Sequence, residues 1–215
     1  MSASLAGLKI LLADDHALVR MGFRLLLEGA GASVPAEAES GEEALRLYAQ
    51  HLPDVLVMDV SMPGIGGLAA LERLRAHHPD AQVLMLSAHQ DAVIPVRALK
   101  AGAIGYLCKR CLPDEFIRAV RQVGSNQRYL DPELAQQVAL AQLSGTAHPA
   151  SALTDKEFTV FLQLAQGRSV NEVALDFHLS ASTVGTHLYH IKQKLNAANT
   201  ASLAVIAMRA GLMAT

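Results

Sequence analysis

Over its first 125 residues the chain alternates short, densely apolar runs with longer stretches in which apolar residues recur every three or four positions. Lys9–Ala13 reads as a buried strand. It is followed by a helical pattern from His16 to Glu28 with Leu18, Met21, Leu25 and Leu26 facing inward. A weak strand at 33–37 precedes a helix over 41–50, and Asp54–Asp59 is a strongly apolar third strand before a helix over 66–77. Residues 82–86 and 104–107 supply a fourth and a fifth strand, with helices over 91–101 and 113–123 after them. Five apolar runs spaced by helices predict a five-stranded parallel sheet covered on both faces. With right-handed crossovers this is a doubly wound α/β domain.

The rhythm stops between Gly124 and Ala152. A helical piece over 132–143 runs into Ser144-Gly145-Thr146-Ala147-His148-Pro149-Ala150-Ser151, whose small and polar residues read as a linker tip. Beyond it the periodicity is helical throughout, over 154–166, 170–177, 181–195 and 200–210. The expected organisation is an α/β domain over 1–125, a helical linker over 126–150 and a small all-α domain over 151–215.

Composition narrows the class. The chain has 215 residues, 51% of them hydrophobic and 18% charged, which excludes a disordered chain. Two cysteines, Cys108 and Cys111, exclude a disulfide scaffold and suggest a reducing compartment. They form a C-x₂-C without a second pair, so plain packing is the favoured reading over a zinc site. Asp14-Asp15 interrupts the first apolar stretch, which argues against a secretory signal, and the expected location is the cytoplasm. The net charge of −2 is spread evenly enough that any case for nucleic-acid binding must rest on motif.

The candidate chemistry lies at the carboxyl ends of the strands, where such sheets bind ligands. Asp14 and Asp15 follow the first strand, Asp59 closes the third, Ser87 follows the fourth and Lys109 the fifth. Neighbouring strands are about 4.8 Å apart, so these groups converge. Three carboxylates in one pocket call for a cation, and an all-oxygen donor set suits Mg²⁺. A phosphoryl group entering the pocket would meet the cation and Lys109, with Ser87 offering a hydrogen bond. One carboxylate could then be the nucleophile, forming an aspartyl phosphate. The blander alternative for any one residue is helix capping, as for Asp15.

The segments Leu11–His16, Val57–Gly64, Met85–Ala88 and Gly105–Lys109 occur in an order and spacing that resembles the receiver domain of two-component response regulators. The resemblance implies that Asp59 is the phosphoacceptor and that Asp15, Asp59 and the carbonyl of Ser61 hold Mg²⁺, with Asp14 acting through water. It implies that Ser87 and Tyr106 are the hydroxyl and aromatic switch pair and that Lys109 meets the phosphate. A static, half-buried Tyr106 is the alternative. Ser61 and His89 would flank the path of a hydrolytic water. Arg110 stands where many receivers have a proline, so a trans bond is expected after Lys109.

In the C-terminal helices, Thr154 and Glu157 form a capping-box pattern, and Ser180 can cap the helix that ends at Leu195. Val184, Leu188, Ile191 and Leu195 recur at core spacing. The opposite face carries Ser182, Thr186, Tyr189, His190 and Gln193, flanked by His187, Lys192 and Lys194. An apolar back with a hydrogen-bonding front suits a helix in the major groove, although any small bundle can show such a face. The motifs Leu153-Thr154-x₂-Glu157, Leu164–Gly167, Leu179-Ser180-x₂-Thr183-Val184-x₂-His187 and Lys192-x-Lys194-Leu195 resemble the LuxR-type helix-turn-helix. A receiver joined to this module resembles the NarL/FixJ family, and residues 108–115 resemble its hexose-phosphate uptake regulators. The implied DNA-contacting set is Ser182, Thr183, Gly185, Thr186, His187, Tyr189, His190, Lys192, Gln193 and Lys194. Gly185 and Thr200 depart from the pattern, standing where basic residues are usual.

The resemblance implies a transcription regulator that is not an enzyme. A sensor histidine kinase would phosphorylate Asp59, and the homodimer formed on phosphorylation would bind promoter DNA. The alternatives are a receiver-based protein-interaction switch with weakened DNA binding, and a metal-dependent phosphatase using the same carboxylates on an external substrate.

Overall fold

The computed structural model describes residues 4–88, 93–143, 149–210 and 212–213, without side-chain detail at 137, 138, 140–149 and 155. Most of the proposed linker tip, and His89, lie outside the described residues. The chain divides into two compact units, residues 1–88 with 98–132, and residues 89–97 with 133–215.

The first unit is built on β1 (Lys9–Ala13), β2 (Ser33–Ala38), β3 (Val55–Asp59), β4 (Val83–Ser87) and β5 (Gly105–Cys108). A sixth strand, β6 (Tyr129–Leu130), joins them in the order β2-β1-β3-β4-β5-β6, every pair parallel. The expected five strands are therefore six, and the stretch read as the start of a helical linker opens with a strand. Two residues are too few to show alternation. β6 pairs with the outer edge of β5 at Gly105, where an added Cβ would lie 2.8 Å from Leu84 and Val123 and 3.3 Å from the Tyr129 carbonyl oxygen.

The first unit's helices are α1 (Ala17–Gly29), α2 (Gly41–His51), α3 (Gly66–His77) and α5 (Pro113–Gly124), while α4 (Val93–Lys100) belongs in part to each unit. Ile10, Leu12, Val57, Leu84 and Leu86 on one sheet face pack with Phe23 and Leu27 of α1 and Phe116, Val120 and Val123 of α5. The Phe23 and Phe116 rings lie 4.4 Å apart between the two helices. The alternate strand residues Leu11, Leu56, Met58 and Met85 are buried on the other face. Every strand of the sheet interior is thus apolar on both sides, as a fully covered parallel sheet requires.

One orientation expected from periodicity is wrong. Leu18, Met21 and Leu25 are 77%, 53% and 63% exposed, whereas Phe23 and Leu27 face the sheet and Leu26 is partly buried. On α1 the charged stripe of Arg20, Arg24 and Glu28 lies between two apolar faces, so a 3.6-residue period fits either one. The sheet selects the one whose Phe23 can reach Phe116.

In the second unit, α6 (Pro132–Leu143) is followed by a short 3₁₀ turn and by α7 (Asp155–Ala165), α8 (Val170–Asp176), α9 (Ala181–Leu195) and α10 (Thr200–Arg209). α7 packs against α9 and α10, and α8 against α9, around Phe158, Phe161, Val173, Val184, Ile191 and Leu203. Thr154 and Ser169 form capping boxes with Glu157 and Glu172, and Ser180 caps α9. Each cap satisfies amide groups that the first helical turn leaves unpaired.

Candidate functional site

All the polar groups expected at the strand ends are found there. Asp14 and Asp15 follow β1, Asp59 ends β3 opposite Leu86, and Ser87 ends β4 opposite Cys108. The Lys109 amide donates to the Ser87 carbonyl at 2.8 Å, which carries the register past the end of β5 and aims the lysine across the sheet edge. Its ammonium stands 2.7 Å from Asp14 Oδ2 and 2.8 Å from Asp59 Oδ2. Asp14, Asp59 and Ser87 are buried, and the Lys109 side chain nearly so.

These burials act on the titration of the pocket. Burial pushes the Asp59 carboxyl up from its ordinary value, and the adjacent Lys109 ammonium only partly offsets this. For Lys109, burial alone would lower the pKa, but Asp59 and Asp14 outweigh it and hold the ammonium above its usual range. Lys109 is therefore a permanent positive charge at neutral pH. The same ammonium favours the charged form of Asp59 against the burial that opposes it.

Asp14, Asp15, His16 and Asp59 each offer a ligating atom, and these atoms lie within 4.8 Å of one another. Asp14 Oδ2 meets the Lys109 ammonium at 2.7 Å, and Asp15 Oδ1 has the His16 ring 2.9 Å away. Three converging carboxylates form an oxygen donor set that suits a hard divalent cation, so the pocket could hold a metal. His16 was not anticipated from the sequence. Its position directly after Asp14-Asp15 was the available signal, since the His16 amide donates to Asp14 Oδ1 and turns the ring back over the pocket. Tyr106 lies on β5 opposite Met85, its side chain fully buried rather than half-buried. Ser61 is partly exposed beyond β3, where its backbone contributes a hydrogen bond to Asp59.

On α9 the residues of the expected outer face are exposed, among them Ser182, Thr186, Tyr189, His190 and Gln193, while His187, Lys192 and Gly185 are half-exposed. The expected inner residues Val184, Ile191 and Leu195 are buried. Three of the expected contact residues are already engaged. Thr183 Oγ1 lies 2.9 Å from the capping Ser180 hydroxyl, Thr186 donates to the Ser182 carbonyl, and Lys194 Nζ lies 2.6 Å from Glu157 Oε2. Burial would raise the Glu157 carboxyl, but Lys194 and the Thr154 cap outweigh it and hold it below the usual carboxylate range.

Comparison with known proteins settles the family. Residues 10–121 match the response regulator receiver domain and residues 151–207 the bacterial regulatory proteins of the luxR family. The chain is a NarL/FixJ-family response regulator. Response regulator UvrY of Escherichia coli K12 is 39% identical over 208 residues, 95% of each chain. Response regulator GacA of Pseudomonas aeruginosa is 38% identical over 209 residues, 96% of this chain and 98% of its own. Among solved structures, a LuxR-family two-component response regulator from Aurantimonas sp. SI85-9A1 is 37% identical, with a TM-score of 0.61 over 63% of this chain and 98% of that one. RcsB of Salmonella enterica, bound to promoter DNA with a phosphomimetic, shares the fold at 22% identity, with a TM-score of 0.73 over 93% and 97% of the two chains.

As a response regulator the chain is a transcription factor, with its receiver pocket on the first unit and its helix-turn-helix on the second. Its family consists of regulators rather than enzymes, and a receiver domain implies a histidine kinase partner. Among the described residues no helix is long and apolar enough to cross a membrane.

Proposed function

We propose that this regulator is switched by phosphorylation of Asp59 by a sensor histidine kinase in the cytoplasm, dimerises, and then binds promoter DNA. The observation that carries the reading is Asp59 at the end of β3, buried, with the Lys109 ammonium 2.8 Å away. The domain frame of this reading is a receiver over 1–125, a linker over 126–150 and a DNA-binding domain over 151–215.

An Asp59 carboxylate oxygen attacks phosphorus as the bond to the donor's nitrogen breaks, and the donor nitrogen keeps the electron pair. Lys109 offsets the charge of the incoming phosphoryl oxygens, and the Ser87 hydroxyl, fully buried at the end of β4, donates to one of them. Asp15, Asp59 and the Ser61 carbonyl, with Asp14 through water, would hold Mg²⁺, which supplies further charge neutralisation when bound. A new dianion then draws Ser87 and Lys109 towards it, and Tyr106, one strand over, repacks the face of β5 and α4. Because a phosphoryl group only biases a two-state equilibrium, a minor active population exists without it.

For DNA the reading assigns Ser182, Thr183, Gly185, Thr186, His187, Tyr189, His190, Lys192, Gln193 and Lys194 to the groove-facing side of α9. Gly185 brings no charge to this face and Lys194 is shared with Glu157, so few cations remain for phosphates. Phosphate contacts supply most non-specific affinity, so a single domain binds weakly and two on adjacent half-sites recover affinity through effective concentration. These same two residues favour the second reading, a receiver-driven protein-interaction switch with weakened DNA binding.

Enrichment of genomic DNA fragments on the full-length protein, with Mg²⁺ and with or without beryllofluoride, separates the two. Enrichment only with the phosphoryl mimic supports the phospho-gated regulator. No enrichment in either state refutes it in favour of the interaction switch. Asp59→Ala must abolish uptake of phosphate from acetyl phosphate, and unchanged uptake would refute Asp59 as the acceptor.

A further inference from the structure

We propose that Arg20 is a positioning residue for the cation pocket, clamped by Glu37 and Glu39 so that its guanidinium fixes the Asp14–Asp15 peptide. The inference rests on the reading that Asp14, Asp15 and Asp59 hold a divalent cation. Arg20 projects from the first turns of α1 and its side chain is 11% exposed. Each edge of its guanidinium has an acceptor. Nε donates to Glu37 Oε2 at 2.9 Å, Nη2 to Glu39 Oε1 at 2.6 Å, and Nη1 to the main-chain carbonyl of Asp14 at 2.5 Å. Arg24 takes the other Glu37 oxygen, which pins that carboxylate in turn.

The Asp14 main chain is thereby held at both polar groups, because its amide donates to the Ala38 carbonyl at 3.0 Å. The Asp14 carbonyl and the Asp15 amide share one rigid peptide plane. Fixing the carbonyl therefore sets the direction in which Asp15 leaves the strand, and with it the spacing of the two carboxylates. Asp15 sits in the β1–α1 connection outside any regular ladder, where the Arg20 bond acts together with the bond from the His16 amide to Asp14 Oδ1.

A purely structural ion-pair cluster would be the plainer account. The distribution of donors argues otherwise. A planar fork suited to two-pronged carboxylate recognition instead spends one edge on the loop that carries the pocket. The charges fit as well. An unpaired guanidinium beside the loop would repel a dication, whereas Glu37 and Glu39 offset its charge and leave the hydrogen bond. Lysine cannot reproduce three directed bonds at once.

The test uses the full-length chain with Mn²⁺ as the probe, its free concentration read by electron paramagnetic resonance and its site confirmed by Mg²⁺ competition. Arg20→Gln should raise the Mn²⁺ dissociation constant about tenfold, in the range typical of groups that orient metal ligands. Arg20→Lys should give a partial loss, and Glu39→Gln, at the exposed anchor, about a threefold one. The phosphorylation rate with acetyl phosphate should return towards the parent value at saturating Mg²⁺, because the reacting groups are intact. A structural role alone would not give that rescue. Unchanged Mn²⁺ affinity in Arg20→Gln overturns the proposal, as does a lower maximal rate with unchanged affinity. Should Arg20→Gln fail to fold, Glu39→Gln and Arg20→Lys decide by the same criterion. If the parent chain itself binds no Mn²⁺, the cation reading falls before any variant is measured.

Discussion

Gly67, in the first turn of α3, is the position where the structure makes its sharpest demand. Its amide donates to the Val60 carbonyl at 2.9 Å, closing the β3–α3 connection tightly over the end of β3. A Cβ built there would lie 1.9 Å from the Asp59 carbonyl oxygen, 2.9 Å from its carbonyl carbon and 3.0 Å from Val60 Cα. The closest ordinary C···O approach is about 3.3 Å. Gly67→Ala must therefore displace backbone by roughly an ångström at the phosphoacceptor itself, with no flexible side chain available to absorb it. Overpacking of this sort costs about 1–3 kcal/mol, against which alanine regains at most about 1 kcal/mol of helix propensity. A net loss of about 1–2 kcal/mol would lower the receiver's melting temperature by about 4–8 °C. Misplacing a reacting group by about 1 Å costs on the order of 100-fold in rate.

The assay pairs calorimetry with the rate of phosphorylation by acetyl phosphate in Mg²⁺. Gly22→Ala is the control. Gly22 also lies within a helix, but a Cβ there meets nothing within 4 Å, and the substitution should raise stability by about 0.5–1 kcal/mol. If Gly67→Ala melts no lower than the parent and is phosphorylated as fast, the close approach of α3 to Asp59 does not constrain the pocket, and the reasoning fails.

Other expectations are as direct. Because its folded pKa is depressed, Glu157 contributes stability above its unfolded value of about 4.3 and loses it as pH falls through the folded value. Unfolding of the C-terminal unit followed from pH 6 to pH 3 should show this loss, and Glu157→Gln should flatten it. Gly185→Lys fills open space on α9 and should steepen the dependence of log K on log salt by about 1, an unchanged slope counting against the assigned DNA face. Burial pushes the Cys111 thiol up to about 11, so iodoacetamide should label it slowly at pH 7 and about tenfold faster per pH unit above that; rapid labelling at pH 7 would contradict the burial.

The convergence of the strand-end residues was legible in the sequence for a geometric reason. Asp14, Asp59, Ser87 and Lys109 each sit at or just past a strand's carboxyl end, and in a parallel sheet all such ends share one edge. Recognising strands was therefore enough to bring together residues up to 95 positions apart. The capping residues Thr154, Ser169 and Ser180 concern hydrogen bonds three residues away, and local order alone sets them. The partners of long, flexible side chains were not legible in this way. Nothing in the spacing of Arg20 shows that it reaches back to the Asp14 carbonyl while holding Glu37 and Glu39. The pairing of Lys194 with Glu157 joins two helices and engages, within the domain, a residue of the expected DNA-contacting set.

The α/β alternation, the sheet's both-sided burial and the set of residues at its functional edge follow from the order of apolar runs, because strand direction and crossover hand leave few alternatives. Tertiary structure decided which face of α1 is inside, whether Tyr129–Leu130 is a strand, and where the guanidinium and ammonium groups end up. Leu18, Met21 and Leu25 are as apolar as Phe23 and Leu27, and only the position of the sheet and α5 chooses between them. Likewise β6 owes its pairing to the open edge of β5, a property of the folded surface rather than of any local stretch of chain.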